Sequence, residues 1–270
     1  RFTITTNAML LDDDAIDFFN KEMYNVVVSI DGRKSVHNSV RKTVAGEGSF
    51  DAAMKNALNF KAKRKGQYYV RGTYTALNKD FSKDVLYLND CGFDQISIEP
   101  VVLPENHRLA IHKSDVPELI EEYDKLVNEY FRRRKTDKWF NFFHFMIDIY
   151  HGPCETKRLV GCGAGNEYVA VAPNGDIFPC HQFDGDADYK IGNVLDGTFD
   201  NRIPEKFALN NLLEKKDCRD CWAKYYCSGG CAANAIHYCG DINKPYKITC
   251  ELMRKRIECA IAVNSLEKSK

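Results

Sequence analysis

The sequence predicts an α/β protein that ends in a cysteine-rich region, and three observations carry that expectation. β-branched runs alternate with helical stretches over roughly the first half of the 270 residues. Ten of the eleven cysteines lie beyond residue 150, and only Cys91 precedes them. Lys+Arg and Asp+Glu both number 38, giving a formal net charge of zero, which argues against a nucleic-acid or anionic-membrane partner, since both want a net basic face. A hydrophobic content of 44% with 28% charged residues is that of a folded globular chain. No run of 18 apolar residues is present, so no membrane span is expected, and no signal peptide is visible.

The elements follow in order. Phe2-Thr-Ile-Thr-Thr-Asn7 reads as a strand, and Asp12-Asp13-Asp14 opens a helix. Residues 25–31 are β-branched and continuous, as in a strand buried on both faces. A loop with Gly46 and Gly48 leads to a helix from Phe50 to Lys63. Tyr68 to Thr75 is the next strand, Phe81 to Asp90 a crossover helix, and Gln95 to Val102 a further strand stopped by Pro104. Strands separated by helices imply right-handed βαβ units and a parallel sheet. From Ser114 a helix places Val116, Leu119, Ile120, Tyr123, Leu126, Val127 and Tyr130 on one core-facing stripe.

Ligands of parallel sheets sit at the carboxyl ends of the strands. The positions of interest are therefore Thr6 and Asn7, Ser29 and Asp31, Thr73 and Thr75, and Glu99 to Val102. Each alone also fits a helix cap or a turn, Asp31-Gly32 above all.

An odd cysteine count without a secretory signal argues against a disulfide framework. Cys162 is followed by Gly175-x4-Cys180, then by Cys218-x2-Cys221-x5-Cys227-x3-Cys231 and Cys250. Glycines at 161, 163, 165, 175, 229 and 230 let the backbone pass close to a bulky inorganic core. Seven thiolates exceed what one tetrahedral ion takes, so the pattern suggests two thiolate-metal centres. Structural zinc and iron–sulfur clusters both use such spacing. Buried free thiols acting as small hydrophobes account for Cys91, Cys239 and Cys259.

The Cys162-to-Cys250 array resembles the SPASM domain of radical S-adenosylmethionine (SAM) enzymes, including its Gly-x4-Cys element. The upstream region is similar to the second half of the radical SAM partial (β/α)6 barrel. Thr5-Thr6-Asn7-Ala8 resembles its third strand, Val28-Ser29-Ile30-Asp31-Gly32 with His37 and Arg41 its fourth, and Val70 to Thr75 and Ser97 to Val102 its fifth and sixth. The resemblance implies a half-barrel over 1–112, linking helices over 113–150 and a small α+β SPASM domain over 151–270. Within the family, Gly161-Cys162-Gly163-Ala164-Gly165 and Cys218-Arg-Asp-Cys221-Trp222 through Cys227-Ser-Gly-Gly-Cys231-Ala-Ala-Asn234 look most like the maturases of six-cysteine (SCIFF) precursor peptides, which join a peptide cysteine sulfur to an α-carbon as a thioether.

That resemblance implies two auxiliary [4Fe-4S] clusters, an inner one on Cys162, Cys180 and Cys231 and an outer one on Cys218, Cys221, Cys227 and Cys250. Cys154 either completes the inner cluster or leaves an iron open to a substrate thiolate, the latter being preferred. It also implies SAM held with help from Ser29 at the ribose, Arg41 at the methionine carboxylate, Val102 near adenine and Asn7 at the mouth. A guanidinium fork suits a carboxylate, although a surface salt bridge is the plain alternative for Arg41. The initiating Cys-x3-Cys-x2-Cys, which holds a third [4Fe-4S] cluster, is not found, and the chain opens on Arg1. The expectation is a longer polypeptide, of which this piece alone is inactive. Sulfatase-maturing relatives carry aspartate after the Gly-x4-Cys cysteine, where this chain has His181, a candidate for a proton-accepting or sulfur-bonding role. No catalytic base is assigned. The partners implied are a cysteine-rich precursor peptide and a reductant such as ferredoxin or flavodoxin, in a reducing cytoplasm. The rivals are a formylglycine-forming sulfatase maturase and a non-catalytic zinc-thiolate peptide-binding module.

Overall fold

A computed structural model describes residues 1–268. The chain forms two compact units, Arg1–Ile147 with the chain from Glu258, and Asp148–Ile257.

The first unit is built on a sheet of five strands in chain order, each parallel to the next: β1 (Phe2–Thr6), β2 (Met23–Ser29), β3 (Gln67–Tyr74), β4 (Gln95–Pro100) and the two-residue β5 (Asn141–Phe142). Helices α1 (Asp13–Glu22), α2 (Lys34–Val40), α3 (Phe50–Lys63), α4 (Phe81–Asp90) and α5 (Val116–Arg133) connect them. Asp12 caps α1 by accepting the Ala15 N–H at 2.9 Å. The α/β expectation holds, but α2 and β5 were not foreseen. A seven-residue helix lacks enough turns to show a period, and two strand residues carry no alternation. The fourth strand ends at Pro100, four residues before Pro104, although the Val101 N–H still bonds the Tyr74 carbonyl at 2.8 Å.

Alternation along the strands sorts the sheet into two faces. Val26, Val28, Val70, Tyr74, Ile96 and Ile98 are buried. Each fully buried apolar side chain contributes about 1.5–3 kcal/mol of transfer free energy. On the opposite face the register sets Ser29 beside Arg71 and Arg71 beside Ser97, with Thr73 beside Glu99 one step further. Residues Asn25, Val27 and Ser29 are only half-buried, so β2 is covered on one face rather than two. His144, in the turn after β5, places Nε2 3.3 Å from Glu99 Oε1 and 3.4 Å from Ser97 Oγ.

Helix α5 buries the foreseen stripe, except that Ile120 is half-buried, and it also buries Glu122 and Arg133. Both charges are matched: Lys125 Nζ lies 2.9 Å from Glu122 Oε2, Ser82 Oγ donates to the same carboxylate, and Arg133 donates to Asn89 Oδ1 at 2.6 Å and to Asp90 Oδ1 at 2.9 Å. The last turns of the final helix return to this unit. Cys259 is buried with Sγ 3.9 Å from the Tyr123 carbonyl, and Asn264 Nδ2 donates to the Ile147 carbonyl at 3.2 Å. Cys91 and Cys239, expected to be buried, are only half-covered. Among the described residues, no helix is long and apolar enough to cross a membrane.

The second unit holds a four-stranded antiparallel sheet, β6 (Ala170–Val171), β7 (Asp176–Phe178), β8 (Gly192–Asn193) and β9 (Thr198–Phe199), with short helices α6 (Glu155–Arg158), α7 (Arg202–Ala208), α8 (Lys216–Arg219), α9 (Lys224–Cys227) and α10 (Ala232–Cys239). The long α11 (Lys247–Lys268) begins here. Phe178, Cys180, Phe183, Phe207, Ala232 and Ile242 form part of its core. Phe183 is central, its ring 4.4 Å from Tyr189 and 4.7 Å from His237.

Candidate metal centre

The inner cysteine set is assembled by a glycine-bearing loop and a hairpin. Gly161, Gly163 and Gly165 all take left-handed backbone, with φ of +69°, +72° and +77°. Gly165 N–H is shared between the carbonyls of Tyr168 and Pro179, both at 2.9 Å, which ties this loop to the residue before Cys180. A Cβ on Gly165 would lie 3.0 Å from the Phe207 ring. Gly175, at φ +87°, closes the β6–β7 turn, and β7 then delivers Cys180 into the core with 4% exposure.

Tyr168 stands among the three sulfurs. Its hydroxyl is 3.8 Å from Cys162 Sγ. Its ionisation is pushed up first by burial and then by the negative potential of Cys162, Cys180 and Cys231. The N–H groups of Gln182 and Phe183 point at the Cys180 sulfur, and Gln182 Nε2 lies 3.5 Å from Cys231 Sγ. His181 itself is exposed; the sulfur contacts expected of it are made by the residue that follows. Cys162 is exposed, and so is Cys154 at the start of α6.

The outer set shares one cavity. Cys218, Cys221, Cys227 and Cys250 together line one cavity of about 120 Å³. Cys221 N–H bonds the Cys218 carbonyl at 3.1 Å, the tight turn that a two-residue gap needs. Ser228, Gly229 and Gly230 are three successive left-handed residues, with φ of +60°, +77° and +79°. Consecutive N–H groups in such a turn make an anion-binding concavity, and those of Gly229 and Gly230 donate to the Cys227 sulfur. The Ser228 hydroxyl is buried with no hydrogen-bond partner among the described residues.

Burial raises the Cys218 and Cys227 thiols, and it pushes Cys250 up to about 12, helped by the neighbouring Cys227 and Cys218 charges. Three such sulfurs ionise together only when a cationic core draws off their protons. All the cysteines are free. Among the described residues, no three His, Cys, Asp or Glu side chains close on a point as a single ion requires. A zinc ion draws its sulfurs to about 2.3 Å, whereas a thiolate-lined cavity of about 120 Å³ accommodates a larger core. The residues present therefore fit an iron–sulfur group.

One side chain at this site was missed. Lys215 is 1% exposed, and its Nζ donates to the Gly229 carbonyl at 2.9 Å. In sequence it is one of four charged residues, Glu214 to Asp217, and nothing there separates it from the exposed Lys216.

The expected SAM-contacting residues are partly gathered at the carboxyl ends of the strands. Asn7 and Arg41 line one cleft of about 510 Å³ with His37 and Ser49. Arg41 also borders a second of about 240 Å³ with Asp31, Thr73 and Val101. Ser29 and Val102 line neither; Ser29 ends β2 on the polar face of the sheet, and Val102 is half-buried beyond β4. The guanidinium fork of Arg41 is taken by Asp31, with Nε 2.6 Å from Oδ2 and Nη2 3.0 Å from Oδ1. The salt-bridge alternative is thus realised, and Nη1 is the donor not spent on Asp31. Asp31, 1% exposed, also accepts the Thr73 N–H at 3.0 Å.

Residues 162–222 match SPASM, an iron-sulfur cluster-binding domain. Along nearly its whole length the chain superposes on solved anSMEcpe with bound AdoMet, at a TM-score of 0.77 and 18% identity, covering 99% of this chain and 76% of that one. The fold is that of the radical SAM enzymes with a SPASM domain. The SuiB structure of Streptococcus suis bound to precursor peptide SuiA aligns at a TM-score of 0.59 and 19% identity, covering 91% of this chain and 58% of that one. In sequence, the chain is 24% identical over 257 residues to a cysteine-type anaerobic sulfatase-maturating enzyme of Clostridium novyi, covering 86% of this chain and 64% of that protein. It is 23% identical over 270 residues to a serine-type enzyme of Bacteroides thetaiotaomicron, covering 88% and 62%. The chain thus spans under two thirds of the length of these curated relatives.

Proposed function

We propose that the chain is part of a radical SAM peptide maturase that cross-links a cysteine sulfur of a ribosomally made precursor peptide to an α-carbon as a thioether. The observation that carries this reading is the inner set: Cys162, Cys180 and Cys231 gathered around Tyr168, with Cys162 exposed. Three protein thiolates on a four-iron core leave one iron for a further sulfur, and a peptide thiolate bound there is held beside the reacting carbon. When bound, SAM supplies the 5′-deoxyadenosyl radical that takes a hydrogen from the peptide.

The chain's own residues have separate tasks in this scheme. The outer cysteines hold a second cluster in the cavity of about 120 Å³. The N–H groups at Gly229, Gly230, Gln182 and Phe183 spread the charge on Cys227 and Cys180. Asn7, and Arg41 through Nη1, border the cofactor cleft; Ser29 at the end of β2 and Val102 beyond β4 are the other proposed cofactor contacts. A third cluster on a Cys-x3-Cys-x2-Cys motif outside this chain and a small electron donor complete the system, in a reducing compartment.

A second reading, formylglycine formation in a sulfatase, is favoured by the names of the sulfatase-maturating relatives. The two differ in product. The complete polypeptide is incubated anaerobically with SAM, a reductant and either a cysteine-rich precursor or a sulfatase-derived peptide. A loss of two hydrogens in the first, with the affected cysteine resistant to alkylation and linked to an α-carbon in the fragment spectra, is the expected result. Turnover of the sulfatase peptide to an aldehyde, without thioether in the other, defeats the proposal. A colourless zinc protein without sulfide favours the binding-module rival.

A further inference from the structure

Lys215 is an ammonium placed where water does not reach. It is 1% exposed, and among the described residues no carboxylate lies within ion-pair distance of it. Its one direct hydrogen bond among them goes to the Gly229 carbonyl at 2.9 Å. A neutral acceptor does not balance a buried positive charge, which costs several kcal/mol unless an anion answers it. Burial is the largest influence on the Lys215 charge and presses its pKa down, and the charges that oppose this are the sulfurs of Cys218, Cys227 and Cys250 of the outer set and Cys231 of the inner set. No other lysine in the described residues is comparably enclosed.

The contact is also directional. Gly229 accepts from Lys215 through its carbonyl and donates through its N–H to the Cys227 sulfur. The peptide unit on each side of Gly229 is therefore oriented by one charged group. The fit is close on the lysine side as well, since a Cβ on Gly229 would lie 3.3 Å from Lys215 Cδ and 3.5 Å from its Nζ.

We propose that Lys215 is a positioning residue that serves as the built-in counter-cation of the cysteine cavity, stabilising the reduced, more negative form of the cluster held by Cys218, Cys221, Cys227 and Cys250. This rests on the iron–sulfur reading above. A four-thiolate iron–sulfur group is a net anion and gains a further negative charge on reduction, so a fixed cation beside it favours the reduced state and raises its potential. The electron comes from the external reductant.

The test uses the full polypeptide reconstituted anaerobically with iron and sulfide, as wild type, Lys215→Met and Lys215→Arg. EPR-monitored redox titration reads the outer-cluster midpoint, and iron and sulfide analysis reads loading. Lys215→Met is expected to lower the midpoint or to lose outer-cluster iron, with Lys215→Arg restoring either toward wild type. In the metal-free proteins the order reverses: Lys215→Met is expected to unfold at the same or higher denaturant than wild type, because an unanswered buried charge has been removed. Wild-type protein that takes up zinc and no sulfide overturns the iron–sulfur reading and this proposal with it. Clusters fully present in Lys215→Met at the wild-type midpoint overturn this proposal alone. A Lys215→Met protein that fails to fold without metal also overturns it, since the lysine is then a scaffold residue.

Discussion

Arg41 and Asp31 form a two-point ion pair at the end of β2, with Nε 2.6 Å from Oδ2 and Nη2 3.0 Å from Oδ1. Asp31 is buried, and Arg41 is about a third exposed at 34% of its side chain. The pair fastens the loop after α2 to the strand that ends beneath it, and Thr73 N–H joins the same carboxylate from β3. Removing one member of a buried pair leaves the other charge unanswered. Asp31→Asn is expected to cost about 2–3 kcal/mol, at the low end for a buried pair because Arg41 reaches solvent. Urea unfolding checks it. Arg41→Ala is expected to show the same loss of stability, larger than any loss of SAM affinity measured on the folded protein.

Glu129 on α5 is held at about 2, from an ordinary 4.5, first by its hydrogen bond to Arg132 and then by Arg133. A carboxyl with a depressed value contributes stability above its unfolded value and loses it as the pH falls toward the folded one. The acid limb between roughly pH 4.5 and 2 is therefore expected to flatten in Glu129→Gln. Asp90, also held down chiefly by Arg133, adds to the same limb. Thermal unfolding over that pH range measures the difference in slope.

Gly165 stands at φ +77° with the Phe207 ring 3.0 Å from where a Cβ would sit. Gly165→Ala brings both backbone strain of about 1–2 kcal/mol and a clash in the core that seats Cys180. The expected outcome is a lower unfolding midpoint together with weaker iron uptake, read on the same preparations. Gly185→Ala, where nothing lies within 4 Å of the added carbon, shares the backbone strain but not the clash, so it separates the two.

If the proposed inner and outer cysteine sets hold separate clusters, they should fail separately. Cys250→Ala or Cys227→Ala is expected to remove about half of the iron bound by this region and one of two EPR signals. Cys180→Ala should remove the other signal. Loss of both signals from every single variant would mean that the seven cysteines serve one centre.

The sequence by itself determined the α/β class, the strands and crossover helices of the first region, and the grouping of cysteines by spacing. Those signals are local: β-branched runs, an amphipathic stripe and short gaps between thiols are legible without a partner. Tertiary structure decided what the charges do. Lys215 and Lys216 are adjacent and chemically alike, yet only the first is buried, with its Nζ on the Gly229 carbonyl. In sequence Arg41 fits either a ligand carboxylate or a salt bridge, and the fold puts Asp31, ten residues earlier, on its fork. His181 had the right place in the motif, and Gln182 reached Cys231 instead. Burial and ion pairing depend on what folds over a residue from elsewhere in the chain, and that is not written in its neighbours.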